Sequence, residues 1–284
     1  MPLHDAFRQN RPAVALEITP PRTAAPRTLL RRAGLLGAGV DAVNVIQRGD
    51  RQSSLDAALQ LHAAGVSPVW HIANRGADRA GLIRAIERAA AGGVRQTLCL
   101  RGDHTAQDTD NTPSIHEVVA LLHERIPEAT VGVTLNQYAA DQGAALRNLR
   151  AKLSRGAAYV QTQPVFDAEA ARPLIERVKQ ASPETRILPM VMPLLSAEAA
   201  TALAARLRIR LPDRLTRALA DAGEEAGWSA FGETLAELAG AVWASGVAVM
   251  TFGMDPPPEH GTRIRDHLRA AGLLATPDSA LPSL

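Results

Sequence analysis

The feature that most constrains this chain is an alternation. Eight short apolar runs recur along its 284 residues, and each is followed by a longer Ala/Leu/Arg segment of helical spacing. The runs are VALEIT (14–19), AVNVIQ (42–47), SPVWHI (67–72), QTLCLRG (96–102), TVGVTLN (130–136), AYVQTQPVF (158–166), RILPMVMPL (186–194) and GVAVMTFG (246–253). They are nearly continuous in apolar character, as strands covered on both faces must be. Among the helical segments, DRAGLIRAIERAAAGG sets Leu82, Ile83, Ile86 and Ala90 on one stripe. Several of these segments stop at glycine, at Gly65, Gly92 and Gly156, which predicts left-handed C-caps.

Eight β-then-α units at this length predict an α/β chain folded as a (β/α)8 TIM barrel. A doubly wound open sheet is the alternative. Segment 196–244 is longer than one crossover helix requires, so extra helix is expected between strands seven and eight. Pro189 and Pro193 are expected to break strand seven. One domain is expected over residues 1–275, with a frayed tail at 276–284.

Composition narrows the function classes. Aromatic residues make up only 3%, so Ala, Leu and Val must build the core. The net charge is +2 with no dense Lys/Arg run, so nucleic acid is not an expected partner. Cys99 is the single cysteine, which allows no intramolecular disulfide and suggests no cysteine metal site; no metal is expected. Without a signal-peptide pattern or an apolar stretch of about 18 residues, a cytoplasmic protein with no membrane contact is expected.

In such barrels chemistry gathers at the C-terminal strand ends. Polar residues fall there: Glu17, Gln47, His71, Arg101 with Asp103, Asn136, and Gln163 followed by Phe166 and Asp167. Burying such groups unpartnered costs about 1–3 kcal/mol each, so a polar ligand at one mouth explains them together. Each also has a structural reading. Glu17 could pair with Arg22 or Arg101, His71 could be a satisfied core histidine, and Asp103 could brace its loop. Gln163 could bridge backbones, Asp167 reads as a helix N-cap, Lys152 as a solvated lysine and Cys99 as inert core. Arg48, Arg51 and Arg75 could grip an anionic tail or phosphate, or be surface charges.

The segments ALEITPPRT, VNVIQRGDRQSS, LCLRGDH, LRNLRAKLSRGAAYVQTQPVFD and ILPMVMPL, in this order, resemble the methylenetetrahydrofolate reductase family. QTQPVFD and the closing GVAVMTFGM look most like its shorter bacterial reductase-like branch. The resemblance implies a (β/α)8 barrel that reduces the methylene bridge of 5,10-methylenetetrahydrofolate to a methyl group, with hydride derived from NAD(P)H. By motif, Glu17 matches the acid that assists ring opening, Asp103 the acid beside pterin and flavin, and Gln163 the pterin-binding amide. Gln47 and Phe166 are counted with the substrate. His71, Arg101, Asn148 and Lys152 match flavin-contacting positions, and Asn136 is counted with them. The chain departs from the family pattern at Ile46, Ala145 and Ala151, where polar flavin contacts are usual. FAD, FMN and flavin-free use of NAD(P)H therefore all stay open. Oxidation of methyl-tetrahydrofolate, action on another pterin, and a non-catalytic folate- or flavin-binding subunit are the alternative functions. The Ala-rich stretch GETLAELAGAVWASG could pack a second copy or a partner subunit.

Overall fold

The computed structural model describes residues 2–102, 112–251 and 253–275. The strands are β1 (Ala13–Ile18), β2 (Ala42–Val45), β3 (Pro68–Ala73), β4 (Gln96–Leu100), β5 (Thr130–Leu135), β6 (Tyr159–Pro164), β7 (Arg186–Val191) and β8 (Gly246–Met250). They close into one parallel barrel in chain order, with β1 pairing to both β2 and β8. Helices α2 (Pro26–Ala33), α3 (Ser54–Ala63), α4 (Arg79–Ala91), α5 (Ile115–Arg125), α6 (Gln142–Leu153) and α7 (Ala168–Ala181) follow the first six strands. The expected extra helix between β7 and β8 is present as α8 (Ala197–Leu207) and α9 (Asp213–Ala239), and α10 (Pro258–Ala270) closes the ring. The fold is the predicted TIM barrel. The expected tail at 276–284 lies outside the described residues.

Three details differ from the sequence expectation. A short helix, α1 (Leu3–Arg8), precedes the barrel. Its Leu3, Ala6 and Phe7 pack among Ala13, Ala15, Leu98 and Tyr159, so it plugs the end of the barrel opposite the C-terminal strand ends. Strand β7 runs unbroken through Pro189. The missing N–H does no harm there, because the β6–β7 ladder steps three residues on β6 (Gln161 to Pro164) against two on β7 (Leu188 to Met190). Finally, the left-handed residue after α4 is Gly93 (φ 80°), not Gly92; Gly65 and Gly156 are left-handed as expected.

The inner layer of the barrel is tight. A Cβ added to Gly132 on β5 would fall 2.1 Å from Cζ of Tyr159, whose hydroxyl donates to the Thr97 carbonyl at 3.2 Å. Gly132→Ala is expected to cost about 1–3 kcal/mol by overpacking, and Gly132→Ala with Tyr159→Leu should recover part of that. Urea melts of the two single variants and the double variant measure the coupling.

Candidate active site

Strand alternation decides which side chains meet inside the barrel. On β1, Ala13 and Ala15 belong to the inner cluster, so Glu17 two residues further on also points inward, one layer nearer the mouth. Asn44 is its lateral neighbour on β2, and Gln161 faces it from β6, two residues beyond the inner Tyr159. The three are joined. Asn44 Nδ2 donates to Gln161 Oε1 at 2.7 Å, and Gln161 Nε2 donates to Glu17 Oε2 at 2.9 Å. His71 Nε2, from β3, lies 3.9 Å from the same carboxylate oxygen and has no hydrogen-bond partner among the described residues.

All four groups are buried, and burial governs their protonation. It pushes the Glu17 carboxyl up to about 7, against the opposing hydrogen bonds from Gln161 and Asn44. It pushes His71 down to about 3, so the imidazole is neutral. The floor thus carries a carboxyl that is half protonated near neutrality, beside a neutral histidine.

Above this floor opens a cavity of about 900 Å³ at the C-terminal strand ends, within the size range of small-molecule sites. Glu17, His71 and Gln161 lie at its base, and Leu98, Leu100, Met190 and Met250 give it apolar walls. Gln163 lines it as well, placed there by the β6 irregularity. Gln137 clamps the Gln163 backbone at both ends, accepting from its N–H at 3.0 Å and donating to its carbonyl at 2.8 Å. The Gln163 side chain has no partner among the described residues.

The structure gathers some of the sequence candidates and scatters others. Glu17, His71, Gln163 and Gln47 border the cavity. The Gln47 side-chain oxygen Oε1, however, already accepts from Ser54 N–H and hydroxyl, at 2.9 and 2.7 Å. Phe166 is not on the wall; it is buried with Met192, Leu194 and residues of α8 and α9. Asn136 is exposed and bonds the Tyr138 N–H at 3.0 Å, and Asn148 is exposed on α6. Lys152 is half-buried and donates to the Thr134 carbonyl at 3.0 Å. Arg101 is exposed just past β4, and Asp103 lies outside the described residues. Asp167 is the N-cap of α7, accepting from Ala170 N–H at 3.0 Å. Cys99 is buried with its thiol pushed up to about 12.

Of the three arginines expected at the mouth, only Arg48 lines the cavity, beside Asp50 at 3.4 Å. Arg51 also faces Asp50, and Arg75 donates to the Gly102 carbonyl at 3.2 Å. The basic rim is instead formed mainly by Arg31, Arg32, Arg206 and Arg265. Arg32 grips Asp255 through two bonds of 2.9 and 2.6 Å and donates to the Thr19 carbonyl at 2.6 Å, which ties the end of β1 to the segment after β8.

Sequence reasoning missed Asn44 and Gln161. Both are polar residues in the middle of an apolar run, Asn44 three residues before Gln47 and Gln161 two before Gln163. No group of three or more His, Cys, Asp or Glu suited to a metal occurs among the described residues, and no described helix is long and apolar enough to cross a membrane.

Comparison with known proteins places this geometry in a wider set. The family model described as methylenetetrahydrofolate reductase matches residues 2–252. A probable methylenetetrahydrofolate reductase (NADPH) from Caenorhabditis elegans is 26% identical over 171 residues, which is 57% of this chain and 26% of that protein. The chain therefore spans well under two thirds of that relative. Among solved structures, an uncharacterized Clostridium thermocellum protein that binds two copies of 5-methyl-5,6,7,8-tetrahydrofolic acid superposes with a TM-score of 0.72 at 11% identity, over 96% of this chain and 99% of that one. EDTA monooxygenase from Chelativorans sp. BNC1 superposes with a TM-score of 0.61 at 10% identity, over 93% and 95% of the two chains. At these identities the structural likeness speaks for the barrel alone.

Proposed function

The chain belongs to the methylenetetrahydrofolate reductase family, and from that premise we propose that it reduces 5,10-methylenetetrahydrofolate to 5-methyltetrahydrofolate, with Glu17 as the general acid. The observation that carries the reading is the buried Glu17 carboxyl, held near pKa 7 at the base of a cavity of about 900 Å³. A general acid works best when its pKa lies near the working pH.

The chemistry asks for that group. The bridge carbon joins N5 and N10 of the reduced folate. The proton of the Glu17 carboxyl goes to N10, the carbon–N10 bond breaks, and its electron pair stays on nitrogen. The resulting N5 methylene iminium accepts a hydride derived from NAD(P)H and becomes the N5 methyl. Glu17, now ionised, faces the developing cation and stabilises it. His71 is neutral and adds no opposing charge. Gln163 offers its amide, one donor end and one acceptor end, to the pterin edge.

When bound, a flavin would relay the hydride from NAD(P)H. The apolar walls and the unpartnered His71 Nε2 suit a planar ring with a polar edge. The described residues supply no corresponding set for the nucleotide half of FAD, since Asn136 and Asn148 stand exposed away from the wall. The arginine rim suits an anionic tail on substrate or cofactor. The ligand named for the C. thermocellum protein is a methylated reduced folate. That supports a folate pocket and motivates a second reading, oxidation of the methyl group by the reverse path.

The test is direct. Purified chain is mixed with methylenetetrahydrofolate and NADH or NADPH, nicotinamide oxidation is followed, and methyl product is identified by mass. Stoichiometric methyltetrahydrofolate is expected; its absence with either nicotinamide, flavin supplied, removes the reading. Faster turnover from methyltetrahydrofolate than toward it selects the reverse path. Gln163→Ala is expected to weaken folate binding by about ten- to a hundredfold, the worth of one buried hydrogen-bonding partner, as read by calorimetry.

A further inference from the structure

We propose that Asn44 and Gln161 are positioning residues for the proton donor: Asn44 fixes which end of the Gln161 amide faces Glu17, and Gln161 then holds the carboxyl in one place by donating to it. The proposal rests on Glu17 being the acid of the reaction.

An amide side chain has a donor end and an acceptor end, and it can turn over unless each end has a committed partner. The Asn44 NH₂ also favours the Glu17 carboxylate, which commits its donor end to this side, and its Nδ2 lies 2.7 Å from the Gln161 amide, so the facing end of Gln161 is the oxygen. The Gln161 NH₂ is thereby turned to Glu17 Oε2, 2.9 Å away. The chain has one polarity, running from β2 across the barrel to β6 and back to β1. All three residues are buried, where such a chain is strengthened and a misdirected amide is costly.

Packing alone does not account for these side chains. Their neighbours on the inner face are Ala42, Ala15, Tyr159 and Leu188, and two apolar residues would fill the same layer. The polar arrangement even leaves Asn44 Oδ1 buried without a partner among the described residues, a cost of about 1–3 kcal/mol.

The effect on Glu17 has a definite sign. A donor facing a carboxyl favours its ionised form and opposes burial, which favours the neutral form. The other titratable groups near Glu17 are His71 on β3, kept neutral by burial, and Tyr159 on β6, whose phenol burial pushes above its ordinary range. Among the described residues neither brings a charge to it, which leaves the two amides to offset burial. Without them the carboxyl would give up its proton less readily and recover as the anion less often at neutral pH.

The proton on Glu17 can be followed without turnover, by ¹³C NMR of chain labelled at glutamate Cδ, with the resonance assigned by its loss in Glu17→Gln. The wild-type resonance is expected to titrate near neutrality. In Gln161→Met and Asn44→Leu the midpoint should rise by about one pH unit or less, the size of a hydrogen-bond contribution. Asn44→Asp should raise it further, because a carboxylate at 44 attracts the Gln161 NH₂ and turns the amide oxygen toward Glu17. Asn44→Ser keeps a donor and should move it least. The alkaline limb of the kcat profile should shift in the same direction. Cooperative thermal melts identify the folded variants, and the four substitutions give independent chances to read the effect. Unmoved midpoints in the folded variants, or a wild-type Glu17 that titrates as an ordinary carboxyl, overturn the proposal. Shifted midpoints in a chain inert toward every folate uphold the amide relay and remove the reductase reading instead.

Discussion

Glu17→Gln is expected to lower turnover by about 10²–10⁴-fold, the usual worth of a positioned general acid, while leaving folate affinity within a few-fold of wild type. Glutamine has the shape of the glutamic acid it replaces and lacks its acidic proton. Its Oε1 can accept from Gln161 Nε2 where the carboxylate does now. That oxygen position is also the one 3.9 Å from His71 Nε2, so the glutamine NH₂ takes the place of the other carboxylate oxygen. The substitution therefore keeps the bond from Gln161 and removes one function, proton donation to N10. The loss should fall on kcat, because the proton matters in the transition state more than in the bound ground state. The pH dependence carries the sign. A general acid acts while protonated, so the wild-type rate should fall as pH rises through about 7, and in Glu17→Gln that limb should vanish with the activity. Single-turnover assays across pH 5–9, with calorimetry for binding, make the measurement. Turnover within tenfold of wild type would remove Glu17 from the role.

The fold was legible because its signal is redundant. Eight apolar runs and the helices between them repeat one message, and no single ambiguous residue can alter the count. Even Pro189, which argued locally for a broken strand, is absorbed by an irregularity in β6 that leaves its missing N–H without consequence. The helix α1 was illegible for a related reason. It is six residues long, and its apolar Leu3, Ala6 and Phe7 are too few to show a period. At the site, residues at strand ends were legible because barrel topology points them all to one mouth. Asn44 and Gln161 sit one layer deeper, where the expectation is packing, and the polar residue nearer the end of that run, Gln163, carries the stronger signal. Helix-borne Asn148 shows the opposite limit. A match in a motif fixes sequence order, while the face a helical residue presents depends on how the helix is seated, and here that residue is exposed.

The same two buried groups that make the floor reactive should also leave an imprint on stability. Glu17 is raised from 4.5 to about 7 in the fold. Between these values the native chain holds a proton that the unfolded chain has released, so stability falls as pH rises, by about 1.4 kcal/mol per unit and about 3 kcal/mol in all. His71 is lowered from 6.5 to about 3. There the unfolded chain holds the extra proton, and stability rises with pH until about 6.5 is passed. From pH 4.5 to 6.5 the two slopes oppose each other at one proton each, so the pair contributes little net dependence in the wild type. Glu17→Gln removes one slope and exposes the other. Relative to wild type the variant should gain nothing near pH 4.5 and about 3 kcal/mol by pH 8, with the gain developing between those limits. Because every surface carboxylate is common to both chains, the difference between their urea-melt curves isolates the Glu17 contribution. Parallel curves across that range would mean that Glu17 ionises in the fold as freely as in the open chain. Such a carboxyl would have surrendered its proton well below neutral pH, before any substrate arrived.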